Sequence, residues 1–119
     1  MSQLVPFGKN TFVIPLIVKD SGGSLANADS LPTVLNVQKN GADADEASVT
    51  VAQAQNDTPA NITGVYNVSV DLSSGGLNAA VNDQFTIVVE ATVGGTTVPA
   101  TFTFTVADLA GNMPSIDLG

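Results

Sequence analysis

The stretch FTIVVEATVGGTTVPATFTFTV, residues 85–106, decides the fold. In its second half Val98, Ala100, Phe102, Phe104 and Val106 alternate with Pro99, Thr101, Thr103 and Thr105. In its first half Phe85, Ile87, Val89 and Ala91 alternate with Thr86, Val88, Glu90 and Thr92. A period of two sends successive side chains to opposite faces, which is the mark of a half-buried strand. Between the halves sit Gly94 and Gly95, which reach positive φ without a Cβ penalty, so the stretch reads as a β-hairpin.

The same alternation extends upstream. Tyr66, Val68, Val70 and Leu72 oppose Val65, Asn67, Ser69 and Asp71, and Val49 and Val51 oppose Ser48 and Thr50. A strand over Thr33 to Gln38 is closed by Asn40-Gly41, a strong hairpin signal. The first strand runs from Thr11 to Lys19 and ends in the turn Asp20-Ser21-Gly22-Gly23. Loops rich in Ser, Asn, Asp, Gly and Ala fill 21–32, 55–64 and 73–83. Helical spacing is hard to find. The pattern predicts an all-β fold, an immunoglobulin-like antiparallel β-sandwich of about seven strands with extended N- and C-terminal arms. One sandwich domain is expected at 11–106, with arms at 1–10 and 107–119.

Composition narrows the function. The 119 residues include 11 acidic and 3 basic ones, for a net charge of -8, and the cations are Lys9, Lys19 and Lys39. Nucleic acid and anionic membrane both require cations, so neither is an expected partner. With no Cys and no His there is no thiolate, no Ser-His-Asp triad and no ordinary zinc or haem site. The expectation is a non-enzyme with no cofactor and no metal. The apolar run Phe12 to Val18 is interrupted by Pro15 and is too short to span a bilayer or to serve as a signal sequence. The chain is therefore expected to stay in the cytosol or to leave as part of a larger particle.

Four segments carry a resemblance. They are Phe12-Val-Ile-Pro-Leu-Ile-Val-Lys-Asp-Ser-Gly-Gly, Leu31-Pro-Thr-Val-Leu-Asn-Val-Gln-Lys-Asn-Gly, Gly64-Val-Tyr-Asn-Val-Ser-Val-Asp-Leu and Asn82-Asp-Gln-Phe-Thr-Ile-Val-Val-Glu-Ala. In this order they resemble the small immunoglobulin-like domains of tailed-phage virion proteins, over roughly residues 11–106. Such domains are often modules of longer fibre, baseplate or tail proteins. A free-standing acidic sandwich starting at its own Met and stopping at Gly119 is similar to a capsid decoration (cement) protein. The resemblance implies a bacteriophage virion structural protein, made in the host cytoplasm and located in the virion. Such a protein is expected to stabilise the head by contacts with the major capsid protein or other virion subunits, as a homo-oligomer. The alternative is a tail, baseplate, fibre or cell-surface adhesion module that binds carbohydrate or another host-surface component. Its loops at 24–30, 54–63 and 73–83 contain no aromatic platform, which favours the structural reading.

Asp43, Asp45 and Glu46 offer hard oxygen ligands for calcium, but their spacing completes no calcium loop and a solvated acidic turn explains them. Asp71 and Glu90 face outward on different strands, without the apolar cleft a catalytic carboxylate pair needs. A hydroxyl nucleophile would need Lys9, Lys19 or Lys39 as base, and all three fall near strand ends or turns. Asn56, Asn61 and Asn67 match the glycosylation pattern, as chance allows in a chain rich in Asn, Ser and Thr. Thr86, Thr92, Thr101, Thr103 and Thr105 form an outward face suited to ordinary strand packing. Tyr66, the single tyrosine, reads as a core residue with its hydroxyl at the rim.

The arms are the favoured sites. Leu4, Val5 and Phe7 at one end and Leu109, Met113, Ile116 and Leu118 at the other are apolar residues in segments that break the strand pattern. They must be buried on the parent sandwich or on a neighbour, by strand addition or groove docking.

Overall fold

The 85–106 hairpin is present in full in a computed structural model of the chain, which describes residues 3–8 and 10–107. Strands β7 (Gln84–Val93) and β8 (Thr96–Ala107) pair antiparallel from Gln84↔Thr105 to Val93↔Thr96. Gly94 and Gly95 turn the chain at φ +57° and +83°, positive at both positions as a type I′ turn requires. The other strands are β1 (Gln3–Pro6), β2 (Thr11–Ile17), β3 (Thr33–Lys39), β4 (Ala42–Asp43), β5 (Val49–Gln55) and β6 (Asn61–Asp71). A single 3-10 turn at Glu46–Ser48 leads into β5, and the described residues contain no α-helix. Asn40 and Gly41, at φ +54° and +82°, form the second such turn and join β3 to β4.

The strands form two sheets, ordered β1-β8-β7-β3-β4 and β2-β6-β5. All pairings are antiparallel except β1 with β8. The two sheets pack as an immunoglobulin-like β-sandwich, whose chain changes sheet between β1 and β2, between β2 and β3, between β4 and β5, and between β6 and β7. Alternation supplies the core directly. Ile14, Leu16, Val68 and Val70 from one sheet meet Val37, Phe85, Ile87, Val89, Phe104 and Val106 from the other. Phe104 of β8 stands 5.1 Å, centroid to centroid, from both Phe12 of β2 and Phe85 of β7, which joins the sheets through aromatic contact.

Two places depart from the sequence pattern. The segment expected as an N-terminal arm contains β1, which runs parallel to β8 from Gln3↔Phe104 to Pro6↔Ala107. Phe7 N–H extends the pairing by donating to the Ala107 carbonyl at 2.9 Å. In β3 the register shifts between Val34 and Asn36. The bulge turns Leu35 outward, 45% exposed, and lets both Val34 and Val37 pack inward.

Candidate functional site

The predicted contact residues separate once folded. Val5, a candidate partner contact expected to bury on the parent sandwich or on a neighbour, is completely buried in the chain's own core and so is not available to a partner; it pairs with the equally buried Val106 of β8. Leu4 beside it points outward at 57% exposure, and Phe7 just past the strand is 56% exposed. These two apolar side chains lie at one end of the sandwich, where Phe7, Asn10, Leu72 and Ala79 line a cleft of about 150 Å³. Leu109, Met113, Ile116 and Leu118 lie outside the described residues.

The loops proposed for carbohydrate recognition use several of their polar side chains internally. In the β2–β3 loop, Asn27 Oδ1 accepts from Gly64 N at 2.9 Å and from Gln53 Nε2 at 2.8 Å. The next residue, Ala28, donates its N–H to the Tyr66 hydroxyl at 3.0 Å. Tyr66 is thus a core residue, 2% exposed, whose oxygen holds the loop at the rim. Asp29 carries the loop onward to the β7–β8 turn, where its carboxylate accepts from Gly94 N and Gly95 N. In the β5–β6 loop, Asn56 Oδ1 accepts from Thr58 N and Ala60 N.

The β6–β7 loop is held by a charged cluster. Lys39 Nζ donates to the carbonyls of Leu77 at 3.0 Å and Asn78 at 2.9 Å, and lies 3.6 Å from Asp83 Oδ2. Asp83 also accepts from Asn40 Nδ2 and from Ala80 N. Partial burial pushes the Asp83 carboxyl up, but these two hydrogen bonds and the Lys39 ammonium together hold it below its ordinary value. Lys39 is therefore a structural clamp, with no hydroxyl among its partners. Asp71 is held low by Ser73, whose Oγ and N–H both donate to it.

The remaining candidates are dispersed. Asp71 belongs to the three-stranded sheet and Glu90 to the five-stranded one, so no carboxylate pair forms. Asp45 caps the 3-10 turn by accepting from Ala47 N, and Asp43 accepts from Asn36 Nδ2. Among the described residues no three acidic side chains come together to hold a metal ion. Lys9 lies outside the described residues, and Lys19 is exposed at the end of β2. Asn61 accepts from Gln55 Nε2, and Asn67 is half-buried within β6. The threonines pair across the outer face of β7 and β8, Thr86 with Thr103, Thr92 with Thr97. The Thr92 and Thr97 hydroxyls hydrogen-bond each other at 2.6 Å. Leu4, Phe7, Val13, Ile17, Leu25 and Val98 are among the exposed apolar side chains of the described residues.

Comparison with family models, with curated proteins and with solved structures finds no match to the chain.

Proposed function

We propose that this chain is a structural subunit of a tailed-phage virion, a capsid decoration protein that acts by protein–protein contact alone. The reading starts from the four segments that resemble phage virion immunoglobulin-like domains. The observation that carries it further is the display of Leu4 and Phe7 beside a β1 strand anchored by Val5. A strand anchored by one buried residue fixes the position of two exposed apolar groups, which is the arrangement of a preorganised contact. Internal use of Asn27, Asp29 and Asn56 supports the same reading over glycan recognition, since those side chains have their hydrogen-bond partners already. The net charge of -8 suits a soluble particle surface that repels nucleic acid.

The test is to mix the purified chain with candidate empty phage shells and measure co-sedimentation. Saturable, stoichiometric capture that weakens at least tenfold in Leu4→Asp and Phe7→Asp is the expected result. A chain that ignores shells and binds a glycan array transfers the assignment to the adhesion module.

A further inference from the structure

The sandwich is open along one side. Among the described residues β2 is an edge strand of its sheet, and β1 covers β8 only at Phe104–Ala107. The inward-facing residues show the consequence. At the covered end Phe85, Phe104 and Val106 are each 1% exposed. Toward the Gly94–Gly95 turn Ala91, Val93 and Ala100 are only half-buried, and Val98, on the same face, is 60% exposed. Between this end of the hairpin and Leu16–Val18 lies a cleft of about 440 Å³. Lys19 stands at its rim and makes no ion pair among the described residues, while the neighbouring Asp20, also in the lining, spends its carboxylate on Gly22 N and Ser24 N of its own turn.

We propose that this cleft receives residues 113–118 of a second copy of the chain. The proposal rests on the reading above and names the partner as the protein itself. The segment carries Met113, Ile116 and Leu118, and in extended form Ile116 and Leu118 share a face. Its charged residue, Asp117, has the sign that Lys19 lacks a partner for, and residues 108–119 contain no cation.

Reach favours a neighbour's tail over the chain's own. Ala107 leaves β8 at the end remote from the cleft, and the level of Ala100 is about 24 Å back along the strand. Docking in cis requires a reversal just past Ala107. If that takes about four residues, the rest extends roughly 27 Å. Leu118 then arrives only at the near rim, and Met113 and Ile116 fall short. A second copy has no such restriction. The strand edges also limit the mode of docking, because Pro15 in β2 and Pro99 in β8 each remove a ladder donor. Side-chain insertion into the cleft carries the contact, with only local backbone pairing. A tail-in-cleft contact is heterologous and generates rings or chains.

The experiment uses the full chain in size-exclusion chromatography with light scattering. Val98→Asp blocks the cleft, and the double variant Ile116→Asp, Leu118→Asp disables the tail. The expected result is an associating wild type and two monomeric variants with unchanged circular dichroism. Mixing the two variants restores a 1:1 dimer, because each retains the half the other lacks. Lys19→Glu weakens association at low salt, and Asp117→Lys in the partner recovers it. A wild type that is monomeric at its highest soluble concentration overturns the proposal. So does a mixture that stays monomeric, or a tail variant that still associates. Co-sedimentation with shells is scored separately, so a monomer that shells still capture sinks the cleft contact and leaves the shell reading standing.

Discussion

The carboxylate of Asp29 grips the turn at Gly94: its Oδ1 accepts from Gly94 N–H, and its Oδ2 from the adjoining Gly95 N–H, both at 3.1 Å. Asp29 N–H in turn donates to the Thr92 carbonyl at 2.7 Å. One residue thereby ties the β2–β3 loop to the tip of the longest hairpin, across a sequence separation of 65. Replacing it with Ala removes an ionised acceptor shared by two amides at an exposed site, with an expected cost of about 1 kcal/mol. Hydrogen exchange checks the assignment: the Gly94 and Gly95 amides should speed up in Asp29→Ala while the Ile87 amide keeps its protection.

Gly64 makes a sharper prediction. It sits at φ +74°, and a Cβ there would lie 2.7 Å from the Val18 carbonyl oxygen and 3.0 Å from Ala26 N. Both neighbours are backbone and engaged with each other, since Ala26 N donates to Val18 O at 3.1 Å. Gly64→Ala therefore combines left-handed strain with a contact that cannot relax cheaply, and should cost about 3 kcal/mol or more. Gly94 is the control. Its φ is +57° with nothing within 4 Å of a built Cβ, so Gly94→Asn should change the urea midpoint little, because Asn tolerates this conformation.

Strand content and the two tight turns could be read from alternation and from Gly94-Gly95 and Asn40-Gly41 because both signals are local. Tyr66 was legible for the same reason, as an inward residue with one polar atom to satisfy. β1 was not. It is only four residues long, Val5 is its buried apolar residue, and the partner Val106 is distant in the chain. The bulge at Leu35 also escaped, since strict alternation groups Leu35 with Val37 and only packing against β7 separates them. The open cleft depends on how far β1 covers β8, a tertiary fact with no local signature.

The Asp83 cluster predicts acid sensitivity with a definite sign. The native carboxyl titrates below its ordinary value of 3.8, so the native state binds this proton more weakly than the unfolded chain does. Its contribution is complete above the unfolded value and disappears as pH falls through the native one. Urea midpoints should hold between pH 7 and pH 5 and drop below about pH 4. Asp83→Asn should begin lower at pH 7 and lose less on acidification. Asn40→Asp places a second carboxylate 2.9 Å from Asp83 Oδ1 in place of a donor. Its penalty at neutral pH should shrink once either group is protonated.

Val5 and Leu4 are adjacent in β1 yet belong to different parts of the protein. Val5 has no exposed surface, and truncation to Ala removes methyl groups that pack in the core beside Val106. The expected loss is roughly 1.5–3 kcal/mol, seen as a lower urea midpoint with an unchanged slope. Leu4→Asp changes a side chain already 57% exposed and should leave the midpoint nearly where it was. The pair separates folding from contact. Val5→Ala at a temperature where it stays folded should still bind a partner surface, whereas Leu4→Asp should fold normally and fail to bind. If both variants lose stability equally, β1 is held by both faces and Leu4 has no role left to play outside the fold.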